Sequence, residues 1–214
     1  VVVEQIKPRQ NPMEAFASPE LLTARMGLSS DMLRSIGAVA KFSGDIEYRL
    51  EWTYWKIQGH DPKGVRHPDD GVNISQLIVK VEEAVAEASP ASWTAILALW
   101  CATAKLAYAC RNSVMHSITV SMGGDFTWLL RNPTLKGEKR KRTYSDFHAN
   151  EHTLRLLELA FAALFKAIAW IDHMIEGSEI ETVKMDQMSR ALRDARSVCA
   201  ELVDLAAAVN HEKY

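Results

Sequence analysis

Between Asp31 and Gln58 the chain places Met32, Ile36, Val39, Phe42, Ile46, Leu50, the pair Thr53 and Tyr54, and Ile57 at steps of three and four. That period is one face of an α-helix, and a strand cannot satisfy it. Ser29 and Ser30 stand where a helix start wants a side-chain oxygen, and Gly59 stands where its end wants a left-handed residue. The same pattern returns along most of the 214 residues. The chain is therefore predicted to be all-α, an up-and-down bundle of four to five long helices.

Asn73 with Gln76 opens a second helix carrying Ile74, Leu77, Ile78, Val81, Val85 and Ala88. Ser89-Pro90 ends it and starts a third helix, expected to run to about His116. His60 to Gly71, with Pro62, Gly64 and Pro68, reads as a polar loop between the first two. Ile118 to Met122 and Asp125 to Leu130 flank Gly123-Gly124, which predicts a small β-hairpin insertion. A fourth helix is expected from Ser145 to Glu176, carrying Phe147, Leu154, Leu157 and Phe161. The fifth is expected to open on a capping box at Ser178 to Glu181. Residues 1–30 read as an N-terminal arm, and residues 31–214 as one domain with hairpin and basic loop at 118–144.

Net charge is -2, so any polyanion must be drawn by a local patch rather than by the whole molecule. Lys136, Lys139, Arg140, Lys141 and Arg142 form the one such run, suited either to a solvated loop or to phosphate-backbone contact. Three cysteines without metal-ligand spacing fit buried thiols in a reducing, cytoplasmic setting. Charged residues interrupt every apolar run, so no membrane span is expected. His148 and His152 fall at i and i+4 of the expected fourth helix, but the acid between them is out of place for a His-Glu-x-x-His site, and both are expected to face solvent. Asp172 and His173 are likewise expected on the outer face. No phosphate-binding glycine loop or nucleophile elbow occurs.

The densest set of reactive groups is Cys110-Arg111-Asn112-Ser113-Val114-Met115-His116 at the end of the third helix. Asn112 and His116 lie at i and i+4, about 40° apart, within reach of a side-chain hydrogen bond. Arg111 lies about 140° round from His116 and about 7.5 Å along the axis, so one helix does not aim both at one atom. Two copies of the helix would. As a structural element, the same residues suit a helix C-terminus, where cations bond the last carbonyls.

Arg-Asn-x3-His near the end of a helix in a helical chain resembles the Arg-x(4 to 6)-His motif of HEPN-domain ribonucleases. The opening helix, with Phe42-Ser43-Gly44-Asp45-Ile46-Glu47 and a Trp-rich end, also looks like that family's. The resemblance implies a HEPN-like fold over about Asp31 to Ile175, with the last helix as an extension. It implies metal-independent RNA cleavage without a cofactor, by Arg111, Asn112 and His116 in a homodimer, with RNA as substrate and a cognate antitoxin as partner. Toxin or phage-defence roles follow from it. Ile118 stands where family toxins often carry Tyr, and the insertion is longer than a minimal fold needs. A non-catalytic HEPN-like domain binding a nucleotide, nucleic acid or protein, and a purely structural helical bundle, are the alternatives.

Overall fold

A computed structural model describes residue 13 and residues 16–60, 71–121, 127–130 and 146–212, with side chains to residue 205. Most of it is helical: α1 (Pro19–Arg25), α2 (Ser30–Ile57), α3 (Ile74–Glu87), α4 (Thr94–Met115), α5 (Glu151–Ile175) and α6 (Thr182–Glu212). A small antiparallel sheet, β1 (Ile118–Ser121), β2 (Thr127–Leu130) and β3 (Asp146–Ala149), sits between α4 and α5 in that strand order.

Local chemistry explains the boundaries. Ser29 accepts from the Met32 amide at 3.2 Å, and Asn73 accepts from the Gln76 amide at 3.1 Å. At Gly59, with φ +68°, α2 closes by bonds from Gly59 N to Lys56 O and His60 N to Trp55 O, the double bond pattern that a left-handed residue permits. The expected hairpin flanks pair, Ile118 with Leu130 and Ser121 with Thr127, while its Gly123-Gly124 turn and the 131–145 basic loop lie outside the described residues.

Several expectations change. The predicted fourth helix does not begin at Ser145: residues 146–149 form β3, pairing Trp128 with His148 and Leu129 with Phe147. Asp146, Phe147 and Ala149 are buried on β3, so pairing with β2 outcompetes the helical spacing of Phe147 and Leu154. The helix begins instead at Glu151, where Asn150 and Thr153 form a reciprocal capping box. His148 and His152 therefore share no helix face; the His148 ring lies 4.7 Å from Trp128, and His152 is exposed in the first turn of α5. Ser178 to Glu181 is likewise not a helix start, since α6 opens at Thr182.

α2 and α5 run parallel over their whole length. Ser29 donates to Glu151 at 2.7 Å, Ser35 to Glu158 at 2.8 Å, Thr53 to Asp172 at 2.6 Å and Lys56 to Glu176 at 2.6 Å. α4 runs the other way against α5, with Trp100 Nε1 donating to Leu164 O at 2.9 Å and Tyr108 edge-on to Phe161. Strict up-and-down alternation would make α2 and α5 antiparallel. Asp172, expected outside, is buried because Thr53 and Lys56 supply the partners its carboxylate needs.

The core is continuous from Met32 on α2 to Leu202 on α6. The last helix belongs to it through Met188, Leu192, Ala195 and Cys199. Thr103 donates to Leu192 O at 3.2 Å and Cys110 to Cys199 O at 3.8 Å, two bonds one heptad apart that hold α6 parallel to α4. The arm is tied at its end: Thr127 Oγ1 donates to Gly27 O at 3.0 Å, and a Cβ at Gly27 would sit 2.6 Å from Ser121 Oγ.

Glu158 is a buried acid bonded from both helices. Burial pushes its carboxyl up, but Arg155, Ser35 and Arg34 outweigh that and hold it below the ordinary 4.5. A depressed folded-state value stabilises above the unfolded pKa and is lost as pH falls through the folded one. Glu158→Gln is expected to cost about 2 kcal/mol at pH 7. The difference from wild type in chemical denaturation should narrow as pH drops below 4.5.

Candidate functional site

The end of α4 faces the middle of α2. Cys110, Ser113 and Val114 turn into the core, which leaves Arg111 and Asn112 half-buried at its margin and His116 exposed at the helix end. Ser43 receives them on α2. It is a fully buried serine between Val39 and Ile46, on the stripe where the apolar reading had placed Phe42.

Arg111 Nε donates to Ser43 Oγ at 3.4 Å, and its Nη1 donates to Asn112 Oδ1 at 3.1 Å. Ser43 Oγ in turn donates to Ala40 O at 2.9 Å, and its carbonyl accepts the Tyr108 hydroxyl at 2.9 Å. Burial raises the Tyr108 phenol far above its ordinary value, Glu47 adds to the rise, and Arg111 opposes it. The phenol is a fixed donor. Glu47 is half-buried one turn beyond Ser43, where desolvation raises its carboxyl and the positive Arg111 works against the rise.

The Asn112 side chain therefore serves Arg111, and it does not hold the imidazole as the i, i+4 spacing had suggested. His116 closes α4 through its backbone, donating from N to Asn112 O at 3.2 Å. Its side chain makes no hydrogen bond or ion pair among the described residues. The helix-end carbonyl of Val114 is capped by Ser117 at 3.3 Å, so neither Arg111 nor His116 plays the carbonyl-binding role of a plain cationic C-terminus. Lys136, Lys139, Arg140, Lys141 and Arg142 lie outside the described residues.

Sequence reasoning missed Ser43, Glu47 and Tyr108 as the surroundings of Arg111. The available signal was a serine interrupting an apolar stripe, which marks a buried hydroxyl with a partner to find. Among the described residues no three His, Cys, Asp or Glu side chains form a metal-holding group, and no helix is long and apolar enough to cross a membrane. The thiols are buried: desolvation pushes Cys101 up to about 12, and the contact with Cys199 followed by burial raises Cys110.

Fold and site together define a predominantly helical protein with a small antiparallel sheet and an arginine-centred polar cluster between two long helices. No protein-family model, curated protein or solved structure matches the chain.

Removing the guanidinium takes away an influence that lowers Glu47. In Arg111→Ala the Glu47 carboxyl is expected to titrate at higher pH than in wild type, read by carbonyl-carbon NMR. An unmoved titration would show that the two groups do not sense each other. Tyr108→Phe should separately cost about 1 kcal/mol of stability by losing the bond to the Ser43 carbonyl.

Proposed function

We propose that the chain is a metal-independent endoribonuclease of the HEPN type, acting as a homodimer. The observation that supports this most is the contrast within one motif: His116 stands exposed at the end of α4, while Arg111 is held in a defined pose by Ser43 and Asn112. An accessible imidazole suits proton transfer, and a positioned guanidinium suits a developing phosphorane charge.

In this reading a ribose 2′-hydroxyl loses its proton and attacks the adjacent phosphorus. The bond to the 5′-oxygen breaks, that oxygen takes up a proton, and a 2′,3′-cyclic phosphate remains. His116 moves the proton and Arg111 neutralises the phosphorane, each from a different copy because the two diverge on one helix. Asn112 acts by steering Arg111. Lys136, Lys139, Arg140, Lys141 and Arg142 hold the RNA backbone, and an antitoxin would be the natural partner of such an activity.

A second reading has its own support. Two of the guanidinium nitrogens are already bonded within the chain, which suits a helical domain that binds RNA or protein and does not cut.

Incubating purified protein with total RNA, with and without EDTA, separates the two. Cleavage insensitive to EDTA and leaving cyclic phosphate ends is expected. His116→Ala and Arg111→Ala should each lower it by about a hundredfold or more while circular dichroism stays unchanged. Undiminished cutting by folded His116→Ala overturns the assignment. Binding without cutting by wild type selects the second reading, and neutralising the basic run should then flatten the salt dependence of binding.

A further inference from the structure

α6 carries three arginines that hold nothing together within the chain. Arg190, Arg193 and Arg196 are exposed, and none makes an ion pair or side-chain hydrogen bond among the described residues. A face that is only solvated interleaves its charges, so that each cation has an acid three or four positions away. Arg193 and Arg196 have none in either direction; what each has three positions away is another arginine. Asp186 and Asp194 stand four positions from Arg190, yet neither pairs with it. Like charges one turn apart destabilise a helix, and no ion pair among the described residues offsets that here.

The row has a direction. At 100° per residue it winds round α6 from Arg190, opposite the buried Met188, Leu192 and Cys199, to Arg196, about 40° from Leu192 and about 60° from Cys199. Leu192 and Cys199 are the residues whose carbonyls accept from Thr103 and Cys110 of α4. The row therefore passes from the outer surface to the flank of the seam between α4 and α6. The same two bonds match the levels of the parallel helices. At about 1.5 Å per residue, Arg196, Arg193 and Arg190 stand roughly 6, 10 and 15 Å short of the level of Arg111.

A guanidinium takes a phosphate by two parallel bonds, and a row of them fits a nucleic-acid backbone without reading its sequence. We infer that Arg190, Arg193 and Arg196 form a track for the phosphate backbone of single-stranded RNA, leading it along α6 towards Arg111 and His116. The strand is single because attack by a 2′-hydroxyl needs a chain free to bend at the reacting phosphate. The inference rests on the proposed function for its ligand. It gives the last helix, outside the HEPN-like segment, a part in holding the substrate.

The test reads binding apart from cutting. A fluorescently labelled 2′-O-methyl oligouridine has no 2′-hydroxyl to attack, so its affinity is measured by anisotropy without chemistry. Wild type is expected to bind it less tightly as salt rises. Arg190→Gln, Arg193→Gln and Arg196→Gln together keep helix propensity, and circular dichroism should be unchanged. They should weaken binding about a hundredfold at about 0.1 M salt and flatten the slope of log K against log salt by about 2. The same three positions changed to lysine should keep the slope. Lys184→Gln, on the same helix but paired with Glu181, should leave it alone. On cleavable RNA the glutamine variant should raise KM and spare kcat, whereas His116→Ala lowers kcat. A glutamine variant that binds like wild type, while wild type cuts RNA, overturns the track alone. Wild type that binds no RNA overturns the track together with the reading it rests on. Binding that depends on the row in a protein that never cuts supports the track and selects the non-cutting reading.

Discussion

The rest of the structure depends on the parallel seam between α2 and α5, and on two carboxylates buried in it. Glu158 and Asp172 sit fourteen positions apart on α5, both buried, each bonded to a hydroxyl on α2. A slip of one turn would move both acids from their partners at once and leave two desolvated charges. Apolar stripes tolerate sliding far better than such pairs do. The register of α2 against α5 is therefore specified at both ends. With it come the heights of Ser43 on α2 and of Phe161 on α5, between which the Tyr108 ring and hydroxyl are placed.

Much of this was legible along the chain, and the failures have physical causes. Periodicity located α2, α3, α4 and α6, and Ser29, Asn73 and Gly59 marked ends because capping is a local matter of a few residues. β3 was misread because four residues carry too short an alternation to compete with a helical spacing that continues beyond them. Only pairing with β2 makes Phe147 and Ala149 inward positions. Asp172 was misread for the same kind of reason, since Thr53 and Lys56 are more than a hundred residues away.

The site shows the same division. Spacing on one helix set Arg111 and His116 apart, because angular position is a property of the helix alone. It did not foresee that Asn112 would turn to its neighbour Arg111, since the position of the guanidinium depends on Ser43 of another helix. The resemblance had drawn attention to the stretch from Phe42 to Glu47 as an opening helix. Its bearing on Arg111 emerges only once α2 and α4 are packed together.

The bonds from Thr103 and Cys110 to the carbonyls of Leu192 and Cys199 make α4 and α6 a single rigid ladder with two rungs. Cys110 is the residue immediately before Arg111. The lower rung therefore fixes the rotation of α4 about its own axis at the point where the motif begins, and a bulkier residue at Cys199 would twist the guanidinium away from Ser43. The aim of an arginine in the middle of the chain is set by a helix nearly ninety residues downstream, so the final helix acts as the gunsight of the site rather than as its appendage.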